Sequence, residues 1–144
     1  METATGATNA TEKKLQEPSN DENEIATKVM DAAFIVHREM GAGLLENVYE
    51  ECMFRVLIEN NLKVERQKHI PVIFRGDQLE CGYRADLLVE DTVLVELKAV
   101  ERLNSVHEAQ ILNYLKLSNI KIGFLINFNV PLLKNGLKRF IKST

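Results

Sequence analysis

An α/β fold, a mixed sheet with helices packed against it, follows from the order of apolar periodicities in this chain. Two stretches near the start repeat apolar residues at helical spacing. Three β-rich runs then follow one another with turn residues between them. A further helix leads into a short apolar strand, the order a parallel crossover requires.

The first helix is predicted over Glu24–Met40, with Ile25, Val29, Ala32, Ala33, Val36 and Met40 in register and Asn23 as its cap. Gly41-Ala42-Gly43 stops it. The second runs over Leu44–Asn60, where Leu45, Val48, Tyr49, Cys52, Met53, Val56 and Leu57 form an apolar stripe. Strands are predicted over 63–76 and 78–90, joined at Gly76-Asp77, and over 92–100. Pro71 marks an edge position or a break in the first strand. A helix over Ser105–Ser118 opens with Ser105 and Glu108 in the form of a capping box. Residues 120–128 read as the crossover strand, and the segment 135–144 as either a last strand or a short helix.

Residues 1–22 hold almost no large apolar side chain and are expected to form a disordered tail, leaving one domain over 23–144. The chain has 144 residues, enough for one core. A net charge of -3 argues against a basic protein that coats nucleic acid. It leaves room for an enzyme with a local basic patch. Arg66, Lys68, Arg75, Arg84, Arg102, Lys138 and Arg139 are the cations available to meet phosphates. Cys52 and Cys81 form no CxxC and give no disulfide framework, so a reducing, cytoplasmic setting is expected. The N-terminus lacks the apolar region of a secretory signal, and no run reaches transmembrane length, so no membrane partner is expected.

The chemistry concentrates in Asp86–Val100, where Asp86, Glu96 and Lys98 interrupt or border apolar strands. A buried charge costs several kcal/mol, roughly, unless it is compensated. Glu96 and Lys98 are two apart and share a face. A two-residue turn at Asp91-Thr92 would pair Asp86 with Leu97, but it asks β-branched Thr92 for positive φ. A three-residue loop over 90–92 puts Asp86 opposite Glu96, with Cβ atoms roughly 5 Å apart. Two carboxylates so placed repel unless they share a divalent cation. Lys98 would then lie beside them, able to hold a phosphate oxygen or a water. Glu46, at the start of the second helix, suits the helix dipole whatever else it does. His107, Gln110 and Tyr114 share one face of the third helix, while Val106, Ala109, Leu112 and Leu115 are assigned to its core side.

These residues form a pattern. Arg84-Ala85-Asp86, nine residues, then Glu96-Leu97-Lys98 resembles the D…(D/E)xK core of the PD-(D/E)xK phosphodiesterase superfamily. Gln110–Tyr114 is similar to the QxxxY motif of its exonuclease-like branches. Gly43–Tyr49 resembles the signature of the GxxExxY family. Ala85 stands where the motif has Pro.

The resemblance implies a restriction-endonuclease-like αβββαβ core and Mg²⁺- or Mn²⁺-assisted hydrolysis of phosphodiesters, in DNA first and RNA second. It implies Asp86, Glu96 and Glu46 as metal ligands, and Lys98 as the residue that orients water or stabilises charge. Gln110 and Tyr114 would position substrate or Lys98. A second copy of the chain or a protein partner would supply further grip on nucleic acid. The competing reading is a non-catalytic module, binding nucleic acid or protein, that keeps the fold.

Overall fold

The computed structural model describes residues 17–142. Residues 1–16 of the expected tail lie outside the described residues, as do 143 and 144. The elements are α1 (Asn20–Met40), α2 (Glu46–Glu59), β1 (Val64–Phe74), β2 (Asp77–Val89), β3 (Val93–Lys98), α3 (Ser105–Ser118), β4 (Ile122–Asn127), a short 3-10 turn (Leu133–Asn135) and β5 (Leu137–Ile141). The ambiguous C-terminal segment is therefore a strand. One sheet holds all five strands in chain order. β3 and β4 are parallel, joined by α3, and every other pair is antiparallel. This is the mixed αβββαβ arrangement expected, with an extra leading helix and an extra edge strand.

Local chemistry moves several boundaries. α1 begins four residues before Glu24 because Ser19 and Glu22 form a reciprocal capping box, so Asn20–Glu22 are helical rather than tail. Asn23 is inside the helix and its amide reaches Pro18 O. α3 is capped by Asn104, not Ser105. Its side chain accepts the Val106 and His107 N–H groups, and His107 Nδ1 accepts the Asn104 N–H. The β1–β2 turn is Arg75-Gly76, one residue earlier than expected, with φ of 53° and 84°. Two left-handed residues give the strand twist a tight hairpin needs. Pro71 lies on the edge strand, and the β1–β2 register shifts between it and Ile73.

The sheet is covered on both faces. α1 and α2 pack on one face against Leu87, Val89, Val93, Val95, Leu97, Ile122, Phe124 and Ile126. α3 covers the other, against Ala85, Leu94 and Leu125. α3 is rolled relative to the expectation. It buries Ile111, Tyr114 and Leu115, while Val106 is 61% exposed and Leu112 42%. Turning Tyr114 inward buries a larger apolar body than Val106 or Leu112 offers, and leaves its hydroxyl near the polar end of the sheet. α2 likewise buries Tyr49, Glu50, Met53 and Leu57, and Leu45 is the exposed N-cap. Among the described residues no helix is long and apolar enough to cross a membrane.

Candidate active site

Leu87, Leu88 and Val89 pair with Val95, Leu94 and Val93, so the β2–β3 loop is the three-residue one over 90–92. Its left-handed residues are Glu90 and Asp91, which spares Thr92. Extended by one step, this register sets Asp86 against Glu96. There the ladder ends. The Asp86 N–H donates to Glu96 Oε1 at 3.1 Å, and the Leu97 N–H donates to Asp86 Oδ2 at 2.7 Å. Side-chain carboxylates have replaced backbone carbonyls as acceptors.

The break extends to the other neighbour of β2. Between Gly82 and Val89, Asp86 is the one residue without a partner on β1. The residue that would face it, Gln67, has φ of 51°, a left-handed conformation within a strand. Such a residue costs on the order of 1–3 kcal/mol and is found where a side chain must be re-aimed. Ala85 belongs to the α3-side core whereas Leu87 and Val89 belong to the opposite one, so strand alternation fails at Asp86. The result is an opening in the backbone pairing on both sides of Asp86, with Glu96 beside it.

Glu96 is 7% exposed and Asp86 is half-buried. Burial, and then the charge of Asp86, push the Glu96 carboxyl up to about 8. Burial also raises Asp86, against the stabilising N–H of Leu97 and amide of Gln67. Half-buried Lys98 lowers both, so its ammonium acts on the same pair. Tyr114 is pushed up to about 12 by burial and by the nearby Glu96 charge. Its ring packs against Tyr83 at 4.4 Å. Gln110 is half-buried one turn earlier on the same helix. The structure thus gathers Asp86, Glu96, Lys98 and Tyr114 about one opening, with Gln110 on the bordering helix.

The expected three-carboxylate set is not assembled. Among the described residues no three His, Cys, Asp or Glu side chains converge to hold a metal ion. Glu46 is exposed at the start of α2, and its Oε2 accepts the Ala99 N–H at 3.4 Å, which holds it beyond the end of β3. Its charge still raises Glu96. Asp86 and Glu96 alone offer hard oxygen donors whose mutual repulsion a divalent cation would relieve, so the pair fits such an ion.

Glu50 is the acid that the sequence reading missed. It is buried, its charge raises Asp86, and it is tied to the site through Gln67. A signal was available. Glu50 follows Glu46 by four residues and precedes Met53 and Leu57 by three and seven, so it lies on the buried stripe of α2.

The cations expected to meet phosphate are mostly engaged. Arg66 pairs with Glu50 and Glu51, Lys68 with Glu65 and Lys138 with Glu108. Arg139 donates to Asn23, Arg84 to the Gln67 carbonyl, and Arg75 lies over the Phe74 ring. Arg102 is exposed.

The sequence model of the PD-(D/E)XK nuclease superfamily matches residues 23–140. The chain belongs to this superfamily. The match covers β1 to β4, all but the last residue of β5, α2 and α3 whole and α1 from Asn23 on. No curated protein and no solved structure gives a significant match.

Proposed function

We propose that this PD-(D/E)XK domain is a metal-dependent nuclease that hydrolyses phosphodiester bonds of DNA, with RNA the second candidate substrate. The observation that carries the reading is the acid-lined opening of β2 and β3 at Asp86. Two carboxylates and an ammonium group act on one another there in a partly buried setting. Asp86 and Glu96 would hold Mg²⁺ or Mn²⁺, with Glu46 the third candidate ligand. When bound, such an ion acidifies a coordinated water and offsets charge on the phosphoryl group. Lys98 holds the attacking water or a phosphate oxygen. Tyr114 and Gln110 border the opening and position substrate or Lys98.

Without a cation Glu96 keeps its proton at neutral pH, so loading the site releases that proton. Assignment to the GxxExxY branch rests on Gly43, Glu46 and Tyr49. The Tyr49 hydroxyl donates to Gly41 O at 2.6 Å and accepts the Leu44 N–H at 3.1 Å, which fixes the loop that presents Glu46.

The absence of a converged third ligand among the described residues favours a second reading, a module that binds nucleic acid or protein without cleaving. Labelled single- and double-stranded DNA and RNA, incubated with Mg²⁺ or Mn²⁺ and then with chelator, separate the two. Metal-dependent cleavage that falls about 10³-fold in Glu96→Ala and Lys98→Ala supports the nuclease. Cleavage that survives both substitutions refutes the site. Mn²⁺ binding lost in Asp86→Ala, with every substrate left intact, supports the module.

A further inference from the structure

We infer that Gln67 is a positioning residue that holds the Asp86 carboxylate in place by strapping it to Glu50. The inference rests on the assignment of Asp86 to the site proposed above. Gln67 Nε2 donates to Glu50 Oε1 at 2.6 Å and to Asp86 Oδ1 at 3.2 Å. One amide NH₂ has two hydrogens, so it can serve both acids at once. A neutral amide bridges two carboxylates without adding charge of its own.

The backbone is shaped for this task. Gln67 lies in β1 at the position opposite Asp86, and its left-handed φ takes it out of the β1–β2 ladder. An ordinary strand residue there would pair with Asp86 through the backbone and point its side chain according to strand alternation. The left-handed backbone at Gln67 instead sends the amide to the acids. The far end of the strap is anchored. Glu50 Oε2 accepts from Arg66 Nε at 3.1 Å, and Arg66 also holds Glu51. The near end is anchored too, because Asp86 Oδ2 accepts the Leu97 N–H. A continuous chain of hydrogen bonds therefore runs from Arg66 through Glu50, Gln67 and Asp86 to the backbone of β3. Each Asp86 oxygen keeps a free lone pair, so the carboxylate is oriented and still able to act.

Gln67→Gly tests the strap, because glycine accepts the left-handed backbone while the whole side chain, amide included, is removed. Gln67→Asn is the second variant. It tolerates the same backbone and withdraws the amide by one methylene. Two readouts are compared with the wild type: Mn²⁺ affinity by calorimetry, and hydrogen exchange of the Leu97 amide in metal-free protein. The expected result in Gln67→Gly is Mn²⁺ binding weakened by about 10–100-fold. Leu97 exchange should speed up about tenfold while the Val93 and Val95 amides stay unchanged, since Leu97 alone is protected through the Asp86 side chain. Gln67→Asn should move both readouts the same way. Exchange of Leu97 unaltered in both variants overturns the strap, as does unaltered Mn²⁺ affinity where the wild type binds the ion. A wild type that binds no Mn²⁺ refutes the metal site instead, and Leu97 exchange then still decides the strap.

Discussion

Strand β3 has two neighbours and treats them differently. Toward β4 the parallel ladder is complete, with six successive pairs from Val93↔Ile122 to Lys98↔Asn127. Toward β2 it stops after three pairs, at Leu87↔Val95. On the closed side Val93, Val95, Leu97, Ile122, Phe124 and Ile126 join the larger core. On the open side Asp86 and Glu96 supply the hydrogen bonds that backbone carbonyls would have supplied. The same strand is therefore scaffold along one edge and chemistry along the other. The opening is tolerable because every backbone donor it frees at Asp86 and Leu97 finds a carboxylate. Its cost is the burial of those carboxylates, which raises both the Glu96 and Asp86 carboxyls, with the Asp86 charge adding to the rise at Glu96.

If the two edges have these separate tasks, substitutions should shift stability in opposite directions. Phe124→Ala removes a side chain that is fully buried on β4. It should destabilise the domain by about 3–5 kcal/mol in urea unfolding, the largest effect foreseen. Glu96→Gln keeps the shape of the acceptor for the Asp86 N–H and removes its charge. The Glu96 carboxyl rises from an ordinary value near 4.5 to about 8 on folding. A folded-state value above the unfolded one gives stability that is present below 4.5 and lost as pH climbs toward 8. Metal-free protein should therefore weaken between those limits. Glu96→Gln should flatten that slope and stabilise the metal-free domain at pH 8 by ~4 kcal/mol. Melting followed across pH, with and without Mn²⁺, checks both. Destabilisation by Glu96→Gln at pH 8 would show that the open edge is held together by the charge rather than strained by it.

The same contrast explains what could be read from residue types. The closed edge was legible because a continuous apolar run between turn signals admits few placements. The register at Asp86 was legible because Thr92 resists positive φ, and the loop indeed gives those conformations to Glu90 and Asp91. Gln67 was not legible. Its role depends on a backbone conformation that nothing in Arg66-Gln67-Lys68 announces. Glu50 was overlooked because Tyr49 and Met53 already account for the stripe, and an acid on a buried face makes sense only beside the partners that Gln67 and Arg66 provide. The roll of α3 was misread for a related reason. Val106, Ala109, Leu112 and Leu115 are spaced three apart as a plausible stripe, yet Tyr114 with Ile111 buries more area. Tyr114 is therefore both core residue and wall of the site.

Tyr49→Phe sharpens the comparison at its smallest scale, because Tyr49 belongs to the closed core and touches the open site only through a loop. Its ring stacks on Phe128 with centroids 4.4 Å apart, and its hydroxyl joins Gly41 O to the Leu44 N–H. Removing the hydroxyl leaves the ring packed and strands one donor and one acceptor in the loop before α2. The expected loss is about 1–2 kcal/mol by urea unfolding. Hydrogen exchange of Leu44 should quicken while Val93 and Val95 in β3 stay protected. That pattern would place the coupling between core and site in the loop that presents Glu46. Faster exchange throughout β3 would instead show that the two edges of the strand share one cooperative unit, and that the division between scaffold and chemistry is one of residue type alone.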